Sequence, residues 1–238
     1  MTFSLLGRCA ATGQLGAATT TSDLAVGARV PFAAAGLGVA VTQHRTDPRL
    51  GPRALALLAS GCTPQEAVDA VAASTPHRWW RQVALMDAAG TTAAYSGAGV
   101  TPVCAAHAGA GCLAVGNMLV SDEIAPAMAG AFAAAADAPL AHRLIAALEA
   151  GEAAGGETGT LRSAAVLVVE RETFPLVDLR VDSDPAPLDA LRRLWEEYGP
   201  WAGDFVRRAL DPDRATGRPD ADHRPRSTTT QRSSTVTS

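Results

Sequence analysis

Apolar residues follow two spacings along this chain, and the change from one to the other divides it into elements. Over residues 2–9 they alternate in part with polar ones, Ala11-Thr12-Gly13-Gln14 supplies a turn, and 15–22 continues with three consecutive threonines. β-branched residues favour extended backbone, so the opening predicts a hairpin. A stretch punctuated by Gly27, Pro31 and Gly36 precedes a third strand at 37–43, apolar enough to be buried on both faces. The spacing then becomes helical. Residues 53–60 carry Leu55, Leu57 and Leu58 after Pro52 and stop at Gly61. Thr63-Pro64-Gln65-Glu66 combines an N-cap hydroxyl, a proline at the first helical position and a glutamate three residues after the cap. The helix it opens runs to about 73, with Ala67, Val68 and Val71 on one face.

Extended spacing returns at 82–87, turns at Ala88-Ala89-Gly90 and runs back through 91–96. Glycines 97, 99, 109 and 111 bracket a loop or short strand before 112–115. Two alanine-rich helices are predicted at 122–135 and 138–151, the first with Asp122 and Glu123 at its positive end. Strands at 163–170 and 176–182 and a closing helix at 187–210 complete a domain over 1–211. Residues 212–238, rich in Arg, Ser and Thr, predict a disordered tail, because they bury too little apolar surface to order themselves. Strict alternation of strand and helix is missing, which disfavours a doubly wound parallel sheet. Hairpin-joined strands with helix pairs between them predict an α+β fold, two mainly antiparallel sheets face to face with helices outside.

Composition narrows the chemistry. All 20 basic residues are Arg and none is Lys, which removes Schiff-base, pyridoxal-phosphate and P-loop mechanisms. Alanine contributes 51 of the 238 residues, so small side chains in close-packed layers must build the core. A net charge of -4 with dispersed signs argues against a nucleic-acid surface. No apolar run is long enough to span a bilayer and the start lacks the form of a signal peptide, so a cytoplasmic protein is expected. Cys9, Cys62, Cys104 and Cys112 lack a C-x-x-C spacing and are expected to be buried thiols; the five His are scattered, so neither a metal nor a cofactor is expected.

Polar residues in and at the ends of apolar strands are the candidates for chemistry. Thr2 is small enough to permit removal of Met1, which would expose an α-amine of pKa near 8 beside a hydroxyl nucleophile. Gln43, His44 and Asp47 leave the third strand: Gln43 can donate through its amide, His44 can do acid–base work, and Asp47 before Pro48 can simply start a turn. Asn117 follows a strand and, with a backbone N–H, can build an oxyanion hole. Ser22 and Asp23 close the second strand. Glu152 and Glu157, flanking Gly155-Gly156, read as a solvated helix end.

In chain order, several segments carry a resemblance. They are Met1-Thr2-Phe3-Ser4, Leu24-Ala25-Val26-Gly27, Val41-Thr42-Gln43, Gly51-Pro52-Arg53-Ala54-Leu55, Arg81-Gln82-Val83, Gly116-Asn117-Met118-Leu119, Gly151-Glu152-Ala153-Ala154-Gly155-Gly156 and Val177-Asp178-Leu179-Arg180. Through them, to about Tyr198, the sequence resembles the domain-of-unknown-function 1028 family, whose members look like N-terminal nucleophile (Ntn) hydrolases with a four-layer αββα sandwich. The resemblance implies Thr2 as nucleophile. The chain departs from the family's usual pattern at Asp47, at Thr21-Ser22-Asp23 and at Thr160-Leu161-Arg162-Ser163. The added carboxylate implies a substrate bearing an amine or guanidine. The expectation is an amidohydrolase cleaving a small-molecule amide or lactam, forming a homodimer or higher homo-oligomer. Thr2 serves as nucleophile and base, Asn117 as oxyanion donor, and Gln43, Asp47, Ser22, Asp23 and Arg162 as substrate contacts. The alternatives are a non-hydrolytic cyclisation, isomerisation, elimination or acyl transfer run by His44 and Asp47 in specialised metabolism, and a non-catalytic ligand-binding member.

Overall fold

In the computed structural model, described over residues 1–216, ten strands form two antiparallel sheets. The strands are β1 Thr2–Arg8, β2 Leu15–Thr21, β3 Pro31–Ala34, β4 Gly38–Gln43, β5 Gln82–Asp87, β6 Thr92–Ser96, β7 Ala105–Gly109, β8 Cys112–Asn117, β9 Ser163–Val169 and β10 Val177–Val181. The helices are α1 Leu50–Ala59, α2 Pro64–Ala73, α3 Ile124–Ala134, α4 Leu140–Ala153, α5 Pro187–Tyr198 and α6 Ala202–Leu210. One sheet has six strands in the order β10-β9-β2-β1-β8-β7; the other has four, β3-β4-β5-β6.

Alternation along the central strands assigns their two faces to two cores. Phe3 and Leu5 of β1 point outward onto α3, α4 and α5, against Met128, Phe132, Leu144, Leu148 and Leu191. Leu6 points inward, where it meets Val39, Val41, Ala84 and Met86 of the other sheet. Ala40, Val83 and Leu85 of that second sheet face outward under α1 and α2. Three apolar layers therefore separate helices, sheet, sheet and helices, the arrangement of a sandwich. Alanine and glycine let the layers approach closely: a Cβ on Gly51 of α1 would lie 2.1 Å from the Phe32 ring of β3.

The capping box that opens α2 is present, with the Thr63 hydroxyl accepting from the Glu66 N–H and the Glu66 carboxylate accepting from the Thr63 N–H. Three expectations are corrected. The punctuated stretch before β4 contains a strand, β3, because Phe32 packs under α1 as part of the outer core. The single closing helix is broken at Gly199–Trp201 by a 3-10 turn containing Pro200, which cannot continue an α-helix hydrogen-bond ladder. Order also continues past 211: Pro212–Arg214 form a 3-10 turn, and Thr216 donates from N–H and hydroxyl to the Asp204 carboxylate. The rest of the expected tail, 217–238, lies outside the described residues. All four cysteines are free thiols, but only Cys112 is buried; Cys104 is exposed on a loop.

Candidate functional site

One end of the space between the sheets is polar, and β1 begins there. Thr2 and Ser4 share the inward face with Leu6, and antiparallel register sets Thr2 opposite Asn117 of β8 and Ser4 opposite Thr19 of β2. The Thr2 hydroxyl lies 3.4 Å from that of Thr21, and both donate to the carbonyl oxygen of Met1. From the other sheet, Gln43 and Gln82 face each other across β4 and β5 and project inward below Thr2.

These side chains form one bonded floor. Ser4 donates to Gln43 Oε1 at 2.7 Å and shares a 2.8 Å bond with Thr19. Gln43 Nε2 donates to Gln82 Oε1 at 2.7 Å and reaches the Thr2 carbonyl at 3.5 Å. Gln82 Nε2 donates to Ser96 and to the Gly116 carbonyl, and Gln82 Oε1 also accepts from Asn117 Nδ2 at 3.0 Å. Ser4, Thr19, Gln43, Gln82 and Asn117 are wholly shielded from solvent. Burying an amide without partners is costly, so a linked network is the form such a floor must take. One acceptor is left over: Asn117 Oδ1 is buried without a partner.

Above the floor opens a cleft of ≈ 170 Å³, lined by Met1, Thr2, Thr21, Asp23, Arg29, His44, Arg45 and Thr46. Its far wall is the chain leaving β4. His44 is buried, and both its ring nitrogens are engaged. The Thr101 N–H donates to Nε2 at 3.2 Å, which leaves Nδ1 to carry the proton it donates to the Trp80 carbonyl at 2.9 Å. Burial lowers the pKa of this imidazole and favours its neutral form. The Asp47 carboxylate accepts from Arg49 Nε and Nη2 at 2.8 and 2.7 Å, with Arg81 at 4.0 Å. Hydrogen bonds from Arg49 hold its carboxyl at a pKa of about 2. Its backbone carbonyl takes the Leu50 N–H at the start of α1, so the turn-initiating reading of Asp47 describes its local work.

The remaining residues divide between cleft and flank. Asp23 stands at the rim, its carboxylate 3.3 Å from Arg29. The Ser22 N–H donates to Glu157 Oε1 at 2.5 Å. Arg162 is exposed and its guanidinium reaches Ser183 at 3.3 Å, so it lies on the flank rather than in the cleft lining. The structure thus brings Thr2, Gln43, Asn117, His44 and Asp23 to one end of the sandwich. Asp47 is tied into a separate pair of arginines. Neither Asp23 nor Asp47 is left without a cation, so the expected attraction for a substrate amine or guanidine has no spare carboxylate behind it.

The expectation of a solvated Glu157 is corrected: it is buried, bridged through Leu119 to the end of β8, with Oε2 unpartnered. Burial raises its carboxyl pKa, opposed by the Ser22 N–H and by the charge of the chain's amino group. Beside it, Thr158 donates to the Met1 sulfur, and a Cβ on Gly159 would lie 2.8 Å from Met1 Cε. Ser4, Thr21, Gln82 and Glu157 were missed as site residues. Only Gln82 had a legible signal, a polar amide opening an otherwise apolar strand. Among the described residues, no group of three or more His, Cys, Asp or Glu side chains converges to hold a metal, and no helix is long and apolar enough to cross a membrane.

The arrangement offers a hydroxyl, a nearby chain amine, a spare acceptor at Asn117 Oδ1 and a buried carboxyl at Glu157. These are groups for nucleophilic attack and proton transfer. Comparison with known proteins gives the lineage. No curated protein matches the chain. A crystal structure of protein SPO2555 from Silicibacter pomeroyi, itself assigned to DUF1028, is 35% identical. It superposes with a TM-score of 0.78 over 84% of this chain and 93% of that one. The model of the family described as a family of unknown function, DUF1028, matches residues 2–191, and the protein belongs to that family.

Proposed function

We propose that the protein is an N-terminal nucleophile amidohydrolase that cleaves a small-molecule amide or lactam, with Thr2 as nucleophile once Met1 has been removed. The observation that carries this reading is the seat of Thr2. It heads an interior strand of the six-stranded sheet, 6% exposed, with its hydroxyl beside Thr21, opposite Asn117 and at the foot of a cleft. A carbonyl oxygen, that of Met1, already sits against both threonine hydroxyls.

Thr2 Oγ1 attacks the substrate carbonyl carbon while its proton passes to the α-amine on the same residue. The tetrahedral oxyanion takes the amide N–H of Asn117 that Gln82 leaves free, together with a main-chain N–H. Collapse breaks the C–N bond, and the α-ammonium returns its proton to the departing nitrogen. Water, deprotonated by the same amine, then attacks the Thr2 ester; its C–Oγ1 bond breaks, the ammonium returns the proton to Oγ1, and the acid leaves. Gln43 holds the Thr2 carbonyl and Gln82 holds Asn117, so both are positioning residues. Asn117 Oδ1 is an acceptor for an ammonium N–H. Free of Met1, an α-amine near pKa 8 must be neutral to act, so kcat/KM rises with pH through about 8.

The test is turnover of an amide and lactam panel by protein whose intact mass shows loss of Met1. Thr2→Ala is expected to cut turnover at least about a thousandfold with a nearly unchanged Tm. An uncleaved N-terminal tag should silence the enzyme equally. Full activity in either protein would exclude the mechanism.

A further inference from the structure

We propose that Arg45 is the carboxylate-recognition residue of this cleft, and that the molecule processed at Thr2 is an amide bearing a free carboxylate. The assignment of substrate rests on the Thr2 reading; the binding of a carboxylate does not.

Two arginines line the cleft, and only one has charge to spare. Arg29 faces Asp23 at 3.3 Å and donates to the carbonyls of Leu24 and Ala25. Arg45 is exposed and makes no ion pair among the described residues; its guanidinium carbon lies 4.5 Å from the centroid of the Trp80 ring. Stacking occupies the face of a guanidinium. Its N–H donors lie in the plane and remain available as a fork, the shape that a carboxylate accepts with two parallel bonds.

The mount of this side chain is unusual. His44 and Arg45 have φ of 54° and 44°, two successive non-glycine residues in the left-handed region. Such backbone is unfavourable and persists only where the surroundings hold it; it collects at ligand clamps. Here the surroundings are identifiable. The His44 ring is fixed between the Trp80 carbonyl and the Thr101 N–H, the Arg45 carbonyl accepts from Arg81, and Arg81 is held near Asp47. Trp80 acts twice: its carbonyl fixes His44 and its indole carries Arg45. The buried His44 and Asp47 thereby find a use as the frame for an exposed cation. Among the described residues no carboxylate pairs with that cation in return, which leaves the cleft as the place where it acts.

The charge balance selects the ligand. Asp23 and Arg29 offset each other, so Arg45 is the one lining arginine whose charge is left for a ligand. That suits a monoanionic carboxylate and opposes a dianionic phosphate or phosphonate.

The test separates binding from turnover. Full-chain Thr2→Ala protein is titrated calorimetrically with three N-acylglycines (acetyl, phenylacetyl and benzoyl), with their carboxamides, and with methylphosphonate. At least one acid should bind saturably, its carboxamide at least about tenfold more weakly, and the phosphonate no better than the carboxamide. Adding Arg45→Ala should weaken the acid about tenfold to a hundredfold, the scale of a charged hydrogen-bonded pair, and Arg45→Lys should recover part of it. A melting curve like that of the parent shows that either variant is folded. Equal affinity for acid and carboxamide, binding of none of the acids, tighter binding of the phosphonate, or full affinity in Arg45→Ala overturns the proposal. Failure of the Thr2 reading looks different: Thr2→Ala would keep its turnover while acid binding still depended on Arg45.

Discussion

Along the inward face of β1, Leu6 and Thr2 stand about 13 Å apart, yet they occupy opposite kinds of interior. Leu6 lies among Leu15, Ala17, Val39, Met86 and Leu113, where apolar area removed from water is the stabilising term. Thr2 lies over Ser4, Thr19, Gln43, Gln82 and Asn117, all buried polar groups that contribute little net stability even when bonded. A sandwich built for stability alone would continue the leucines and valines to the end of the strand. The polar end instead keeps Asn117 Oδ1 and Glu157 Oε2 buried and unpartnered, an arrangement that costs stability and that a reactive site can use. The contrast sets an apolar end that stabilises the sandwich against a polar end whose buried groups are partly unpaired.

Substitutions can break this contrast. Leu6→Ala should cost about 2–5 kcal/mol, read as a fall in Tm, while kcat of the folded fraction stays at the parent value. A loss of kcat there would mean that the two ends are not separable. Gln82→Leu removes the acceptor shared by Gln43 and Asn117 and the donor to the Gly116 carbonyl. It should cost about 2–3 kcal/mol in denaturant unfolding and also lower activity, because Asn117 loses its anchor.

Asp47→Asn should cost about 1 kcal/mol at pH 7, since the partner Arg49 is largely exposed. The Asp47 carboxyl titrates at about 2 in the fold and near 4 when unfolded. Its stabilisation is therefore complete above about pH 4 and fades as the pH falls toward 2, where the Tm of the variant and parent should converge.

Glu157→Gln is the smallest effect, with the opposite sign. Burial raises this carboxyl's pKa in the fold, so the native state favours the protonated form. The group's contribution is full at pH values below its unfolded pKa and is lost as pH rises through the folded one. The amide cannot ionise, so Tm measured across pH 4 to 8 should show Glu157→Gln gaining on the parent as pH increases. A gap that stays constant with pH would mean that Glu157 does not titrate against burial.

Much of the fold was legible because local chemistry and the tertiary answer agree. The capping box at Thr63 and Glu66 starts α2 where its residues demand, and the threonines of β2 lie in a strand. β3 was missed because its four residues, Pro31–Ala34, show no alternation of their own and are held by Phe32 under α1. The break in the last helix was written in Gly199-Pro200 and overridden by the apolar spacing around it. At the site, Thr2, Gln43, His44 and Asn117 could be singled out as polar residues at strand ends. The pairing of His44 with Trp80 and Thr101, and of Asp47 with Arg49 and Arg81, could not. Those partners are fixed by loop packing, which has no periodicity to read.

The sequence by itself determined the apolar runs that let the central strands bury both faces, the caps and turns that bound its elements, and the absence of every lysine-based mechanism. Tertiary structure alone decided which polar groups are shielded and which meet. Burial is a property of the surroundings: Glu157, the residue directly after a glycine pair, becomes a buried carboxyl only because the segment after β8 and the start of the chain close over it. Arg45 becomes an aimed cation only because Trp80, Thr101 and Arg81, distant in the chain, hold its backbone in place.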